Sequence, residues 1–245
     1  MRELDELVGG MIDSHRDGPA PDREDLLALL LGACDDESGK PMSDRQVRDE
    51  VVTFLIAGHE TTANALAWMW LQLSLNPAAR SKLYAEVDEL LDGRTPTFED
   101  ADRLVWTRAV VQETLRLYPP IWNTGRRAQR DDVIDGIRIP AGAHVNILIY
   151  LTHRDPEVWP NPEAFDPSRF LGEPSPPRPR CAYIPFTAGR RVCVGNTFAL
   201  TEATLLTAMI AQRYILDLDP TEQIAPEALL TLRPRGGLAM RLHRR

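Results

Sequence analysis

Phe186-Thr187-Ala188-Gly189-Arg190-Arg191-Val192-Cys193-Val194-Gly195 is the stretch on which the reading of this chain turns. A cysteine follows two arginines between two glycines, and an apolar helical run from Phe198 to Arg213 begins directly after it. Backbone N–H groups left open at a helix start, together with neighbouring guanidinium groups, favour a thiolate over a thiol. A thiolate held in this way can serve as a nucleophile, a redox thiol or a metal ligand, and a buried structural cysteine is the plain alternative. Nucleophilic catalysis would want a histidine partner, and the sequence assigns none.

The other two cysteines, Cys34 and Cys181, make an odd count with no CxxC pair, which argues against a disulfide framework and a zinc knuckle. The 245 residues carry a net charge of −8, a poor balance for general nucleic-acid binding. With 43% hydrophobic and 26% charged residues the chain is an ordinary globular one, long enough for a sizeable core. The best apolar run, Val51 to Trp70, is broken by His59, Glu60, Thr61, Thr62 and Asn64, too polar for a membrane span. Met1 to Gly10 lacks the basic start and apolar stretch of a secretion signal, so a cytoplasmic protein without a membrane anchor is expected.

Upstream, the periodicity predicts helices. After the acidic start Asp22 to Asp25, Leu26, Leu27, Leu30 and Leu31 form one apolar stripe closed by Gly32. Ser43 with Gln46 is a capping pair opening a long helix through Val47, Val51, Phe54, Ala65, Trp68 and Leu73, as far as Asn76-Pro77. A third helix runs from Pro77 to Gly93, and a fourth carries Ala109, Val110, Glu113 and Leu117 up to Pro119-Pro120. The period then changes to two. Ile137 and Ile139, the turn Pro140-Ala141-Gly142, and Val145, Ile147 and Ile149 read as paired strands. Asp155 to Arg191 is rich in Pro and Arg with little periodicity, and short strands are expected between Ile215 and Leu242.

Three further segments carry chemistry. Ala57-Gly58-His59-Glu60-Thr61-Thr62 puts acid and alcohol groups inside an apolar helix, where they are costly unless bonded or used. His59-Glu60 is no HExxH zinc helix, because position 63 is Ala. Glu113 and Arg116 share a helix face, and an exposed pair of this kind is worth only about 0.2–0.5 kcal/mol. Pro162-Glu163-Ala164-Phe165-Asp166-Pro167-Ser168-Arg169-Phe170 reads alone as an irregular surface loop.

Taken in order, these segments resemble the cytochrome P450 family: AGHETT at 57–62, the ExxR pair Glu113 and Arg116, PxxFxPxRF at 162–170, and FxxGxRxCxG at 186–195. ETLRLYPP and RDPEVWPNPEAFDPSRF look most like bacterial members near the fatty-acid hydroxylase and microsomal-like branch. The resemblance implies a mainly α fold with small β-sheets (α+β), of which residues 1–245 form the C-terminal part of a single domain whose N-terminal half is absent. It implies a thiolate-ligated haem b (iron protoporphyrin IX) with Cys193 as the metal ligand. Glu60 and Thr61 match the acid and alcohol that relay protons to dioxygen. Arg126 and Arg191 match partners of the haem propionates, and Phe186 would pack near the sulfur while Gly189 and Gly195 permit close backbone approach.

Glu113, Arg116 and Arg169 match a buried ion-pair cluster, and Ala57, Ile121 and Trp122 match positions lining a substrate pocket. The implied activity is insertion of one oxygen atom from O2 into a small hydrophobic organic substrate, with electrons from a ferredoxin or flavin reductase. Arg169, Arg178, Arg180, Arg190 and Arg191 offer such an acidic donor a docking face. A non-catalytic partner protein or a truncated remnant with haem binding only is the alternative. Thr187 departs from the glycine of many relatives, a change expected to alter loop packing only. Loss of the N-terminal half is expected to uncover Phe54 and Trp68 on the long helix.

Overall fold

A computed structural model describes residues 2–17, 25–34, 39–173 and 177–245. They form two compact units, Met1–Glu60 and Thr61–Arg245. The architecture is mainly helical, with four two-stranded antiparallel sheets among the described residues.

In the first unit, α1 (Arg2–Asp17) and α2 (Leu26–Gly32) pack with the start of α3 (Asp44–Leu75) around Val8, Ile12, Leu27, Val47 and Val51. Asp25 caps α2, its carboxylate accepting the Ala28 N–H at 2.9 Å. The capping pair at the start of α3 forms as the sequence predicts. Gln46 Oε1 accepts the Ser43 N–H at 2.9 Å, and Ser43 Oγ accepts the Gln46 N–H at 3.4 Å. α1 carries an apolar stripe of Leu4, Val8 and Ile12, one turn apart, which the reading of the sequence passed over. Of the acidic start before α2, positions 22–24 lie outside the described residues.

The second unit holds the main core. Met69, Trp70 and Leu73 of α3 meet Leu83, Val87 and Leu91 of α4 (Pro77–Leu91) and Val110, Val111 and Leu115 of α6 (Val105–Leu117). From α8 (Asn196–Ala211) the contribution is Ala203, Ala208 and Ala211, whose small side chains admit close helix approach. Each fully buried Leu, Val or Met here contributes roughly 1.5–3 kcal/mol. A short helix, α5 (Asp100–Arg103), precedes α6. Glu86 of α4 fixes where α6 begins, its carboxylate accepting the Trp106 N–H at 2.6 Å and the Thr107 N–H at 2.8 Å.

The strand pairing differs from expectation. β1 (Thr124–Arg127) pairs with β4 (His144–Ile147), and β2 (Asp132–Ile134) pairs with β3 (Ile137–Ile139), so the two period-two runs are not partners. The deciding turn is Asp135-Gly136, both in the left-handed region with φ of 49° and 79°, which suits a two-residue hairpin better than the Pro140 turn does. Ile149 is no strand residue; it opens α7 (Ile149–Thr152) and is fully buried. Near the end, β5 (Tyr214–Leu218) pairs with β8 (Met240–Arg244), and β6 (Pro226–Ala228) with β7 (Leu232–Pro234).

Trp68 is also corrected. It is 1% exposed, stacked on Tyr118 at 4.1 Å between ring centroids, with its indole N–H donated to the Leu232 carbonyl at 3.0 Å. Residues of this same chain cover it. Phe54 is half-buried; its neighbours Leu55 and Ile56 are the exposed ones. Among the described residues no helix is long and apolar enough to cross a membrane.

Candidate functional site

The cysteine loop is closed by its own backbone. Cys193 N–H donates to the Phe186 carbonyl at 3.0 Å, and Val192 N–H to the Gly189 carbonyl at 3.1 Å across the single 3-10 turn Gly189–Arg191. Gly189 sits at φ 72°, so glycine is required there by backbone conformation. Thr187 also lies in the left-handed region, at φ 62°, an unfavourable place for a β-branched residue. Its departure from glycine is therefore more than a packing change: the Thr187 hydroxyl donates to the Arg191 carbonyl at 2.6 Å.

Phe186, Gly189, Arg191, Cys193 and Gly195 are thus gathered in one loop, which ends as the N-cap of α8 at Gly195. The Cys193 thiol is exposed, not buried, and the apolar side chains beside it stand in the open: Val194 is 83% and Phe198 73% exposed. The nearest atom that a Cβ at Gly195 would meet is the Cys193 sulfur, at 3.9 Å. A cavity of about 220 Å³ next to the loop has Phe186, Asn196, Leu200 and Arg108 in its wall.

The remaining predicted residues sit on other elements. Glu60 and Thr61 are consecutive on α3, both half-buried, on either side of the division between the units. Arg126 is on β1, where its Nη1 donates to Thr124 Oγ1 and the Gly125 carbonyl, each at 2.9 Å. Trp122 acts as a tie: its indole N–H donates to the Leu229 carbonyl at 2.9 Å. With Asn64 on Thr231 Oγ1 and Leu232 N–H on the Pro120 carbonyl, it pins the β6–β7 hairpin and leaves Leu229 and Leu230 exposed.

Glu113 and Arg116 are not a surface pair. Both side chains are 0% exposed and meet in a two-pronged pair, Nε to Oε2 and Nη2 to Oε1, each at 2.7 Å. Arg116 spends its other donors on the carbonyls of His153 (2.9 Å), Pro162 (2.7 Å) and Ala164 (3.0 Å). Glu113 Oε1 also accepts the Asp166 N–H at 2.9 Å and faces Arg169 Nε at 3.4 Å. The supposed surface loop at 162–170 is therefore bound to the core by this pair.

Sequence reasoning missed His153 and Tyr183 and read Arg178 as a docking residue; all three complete the cluster. His153 is fully buried; its Nδ1 faces the Arg116 carbonyl at 3.1 Å and its Nε2 accepts the Ile184 N–H at 2.8 Å, so the ring carries its proton on Nδ1. Burial pushes its pKa from 6.5 down to about 4. Burial likewise pushes the Tyr183 phenol far above its ordinary range, and its hydroxyl donates to the Gln112 carbonyl at 3.0 Å. Arg178 stacks over Trp159 at 4.3 Å and donates to the Arg169 carbonyl at 2.6 Å. Two of the five arginines offered for docking, Arg169 and Arg178, are thus engaged internally, while Arg180, Arg190 and Arg191 stay exposed.

The family model for cytochrome P450 matches residues 1–239. The chain is 43% identical over 232 residues to cyclooctatin synthase of Streptomyces melanosporofaciens, covering 95% of this chain and 50% of that protein. It is 40% identical over 220 residues to cytochrome P450 4A14 of Rattus norvegicus, covering 89% and 43%. Among solved structures it is similar to the cytochrome P450DA heme domain, with a TM-score of 0.92 and 37% identity over all of this chain and 54% of that one. A loop, a buried ExxR pair and a helix order of this kind, matched over nearly every residue, define one class: the chain belongs to the cytochrome P450 family. It spans about half the length of the curated relatives it matches.

The loop fits the group that this family carries. An exposed cysteine flanked by the open apolar side chains of Val194 and Phe198 suits a flat apolar macrocycle ligated through sulfur.

Proposed function

We propose that residues 1–245 form the C-terminal part of a single-domain haem-thiolate monooxygenase that inserts one oxygen atom from O2 into a small hydrophobic organic substrate. The observation that carries this reading is the Cys193 loop: an exposed sulfur at the head of α8, on a backbone closed by Cys193 N–H to the Phe186 carbonyl. Haem, when bound, supplies the oxygen-activating chemistry, and thiolate ligation of the kind for which this family is the standing example pushes electron density toward O–O cleavage.

The chain's own residues then have separate tasks. Cys193 would hold the iron through its sulfur, in the loop that ends at the head of α8. Phe186, whose carbonyl accepts the Cys193 N–H, would lie on the sulfur side of the cofactor, and Gly189 and Gly195 would let the backbone approach it. Arg191 and Arg126 are the propionate partners. Among the described residues Arg191 has no carboxylate partner, and Arg126 is bonded only through Nη1, so both keep donors for an anion. Glu60 and Thr61, an acid and an alcohol adjacent on α3, would be the groups that hold and pass protons on the oxygen-binding side. Arg180 and Arg190 give an acidic ferredoxin or flavin domain its docking charge.

All three thiols are exposed, so exposure alone does not choose the ligand and a variant series does. Reconstituted protein is expected to show the strongly red-shifted carbon-monoxide Soret band of a ferrous thiolate site. Cys193→Ala should abolish it, while Cys34→Ala and Cys181→Ala should keep it. A band that survives Cys193→Ala and vanishes in Cys181→Ala overturns the assignment. In a complete active context, Thr61→Ala is expected to keep haem content and divert reducing equivalents to peroxide. Unchanged product per reducing equivalent would remove Thr61 from proton delivery.

A further inference from the structure

Thr187 combines two features that belong together. A β-branched residue is held at φ 62°, where only glycine is at ease, and its hydroxyl makes a short bond to a carbonyl four residues on, Arg191 O at 2.6 Å. Glycine would remove the strain and lose the bond; threonine accepts the strain and keeps it. We propose that Thr187 is a positioning residue for the Cys193 sulfur, its hydroxyl closing the 187–191 turn and thereby fixing the backbone that carries the cysteine.

The surrounding bonds make the turn a short closed circuit. Thr187 N–H donates to the Ile184 carbonyl at 3.0 Å and so anchors the near side. Val192 N–H donates to Gly189 and Cys193 N–H to Phe186, which anchor the far side. Between these anchors the hydroxyl is the one side-chain tie across the loop among the described residues. It orients the peptide between Arg191 and Val192, one unit before the peptide whose N–H belongs to Cys193. Arg190, Arg191 and Cys193 are exposed, so packing does little to hold this segment, and hydrogen bonds must.

The inference rests on the haem-thiolate reading only for what the positioned sulfur binds; the positioning itself is testable without haem. Hydrogen exchange of the full chain would follow the Cys193 and Val192 amides in three variants. Thr187→Val keeps the shape and loses the hydroxyl, Thr187→Gly loses both hydroxyl and strain, and Thr187→Ser keeps the hydroxyl. Exchange at Cys193 is expected to rise about five- to tenfold in the Val and Gly variants, the ratio one net hydrogen bond supports, and to stay within about twofold in the Ser variant. Should Thr187→Val fail to fold, Thr187→Gly carries the test, since glycine takes φ 62° without strain. Unchanged exchange in folded Thr187→Gly overturns the proposal. After haem reconstitution, the share of protein in the red-shifted carbon-monoxide band should fall in the Val and Gly variants and be retained with Ser. A parent chain with no such band defeats the haem reading, while the exchange rates still decide the role of Thr187.

Discussion

Glu113→Ala is expected to destabilise the protein by about 3–5 kcal/mol, because it leaves the Arg116 guanidinium charged, buried and without its carboxylate. The loss extends beyond one pair. Asp166 N–H would lose its acceptor and Arg169 its counter-charge, so only the Arg116 bonds to the Pro162 and Ala164 carbonyls would still tie the 162–170 segment to that part of α6. Against a typical total stability of about 5–15 kcal/mol, this reads as mostly insoluble protein or as a large fall in the urea midpoint. Glu113→Gln, which keeps the acceptor and loses the charge, should fall between the two. A soluble Glu113→Ala variant within about 1 kcal/mol of the parent would mean that the pair does no more than a surface pair does.

The second large effect is on acid stability and comes from His153. The ring is neutral in the fold down to about pH 4, whereas in the unfolded chain it takes up a proton below its ordinary value of 6.5. Between those values the unfolded state binds more protons, so stability is fully present above pH 6.5 and is lost as pH falls, by about 3 kcal/mol in all. The geometry gives the reason: Ile184 N–H points at Nε2, and a proton placed there would set two donors against each other. Urea unfolding at pH 7.5, 6 and 5 should show this slope in the parent. His153→Phe should be less stable at pH 7.5, having lost two hydrogen bonds, and should show a flatter slope. Equal slopes in parent and variant would exclude His153 as its source.

What the sequence made legible and what it did not divide along one physical line, namely how far apart in the chain the interacting groups lie. The Ser43 and Gln46 cap, the Pro77 start of α4 and the Cys193 loop are local, with partners within about eight residues, and each was readable from spacing. Glu113 and Arg116 were visible as a pair, but their burial depends on carbonyls from His153, Pro162 and Ala164, which no local pattern reveals. His153 was invisible for the same reason, since its partners lie 37 residues before it and 31 after it. The strand error had a local cause. Pro140-Ala141-Gly142 looked like a hairpin turn, whereas Asp135-Gly136 supplies the two left-handed residues that a tight hairpin needs. Trp68 was misjudged through its cover, which comes from Tyr118 and Leu232 of this chain.

The ring of bonds around Arg116 also dictates an order of assembly during synthesis. Its carbonyl partners emerge from the ribosome 37, 46 and 48 residues after the arginine itself, so until they are made α6 has Glu113 to pair Arg116 but cannot bury it with all of its donors bonded. The Ile184 N–H that secures His153 arrives later still, and Cys193 follows it by nine residues. Nascent chains stopped before Ala164 therefore lack part of the acceptor set for Arg116, the kind of intermediate that exposes apolar surface and invites chaperones. Once Ile184 has docked, the platform is closed, and the cysteine is the last of these parts to be delivered onto it.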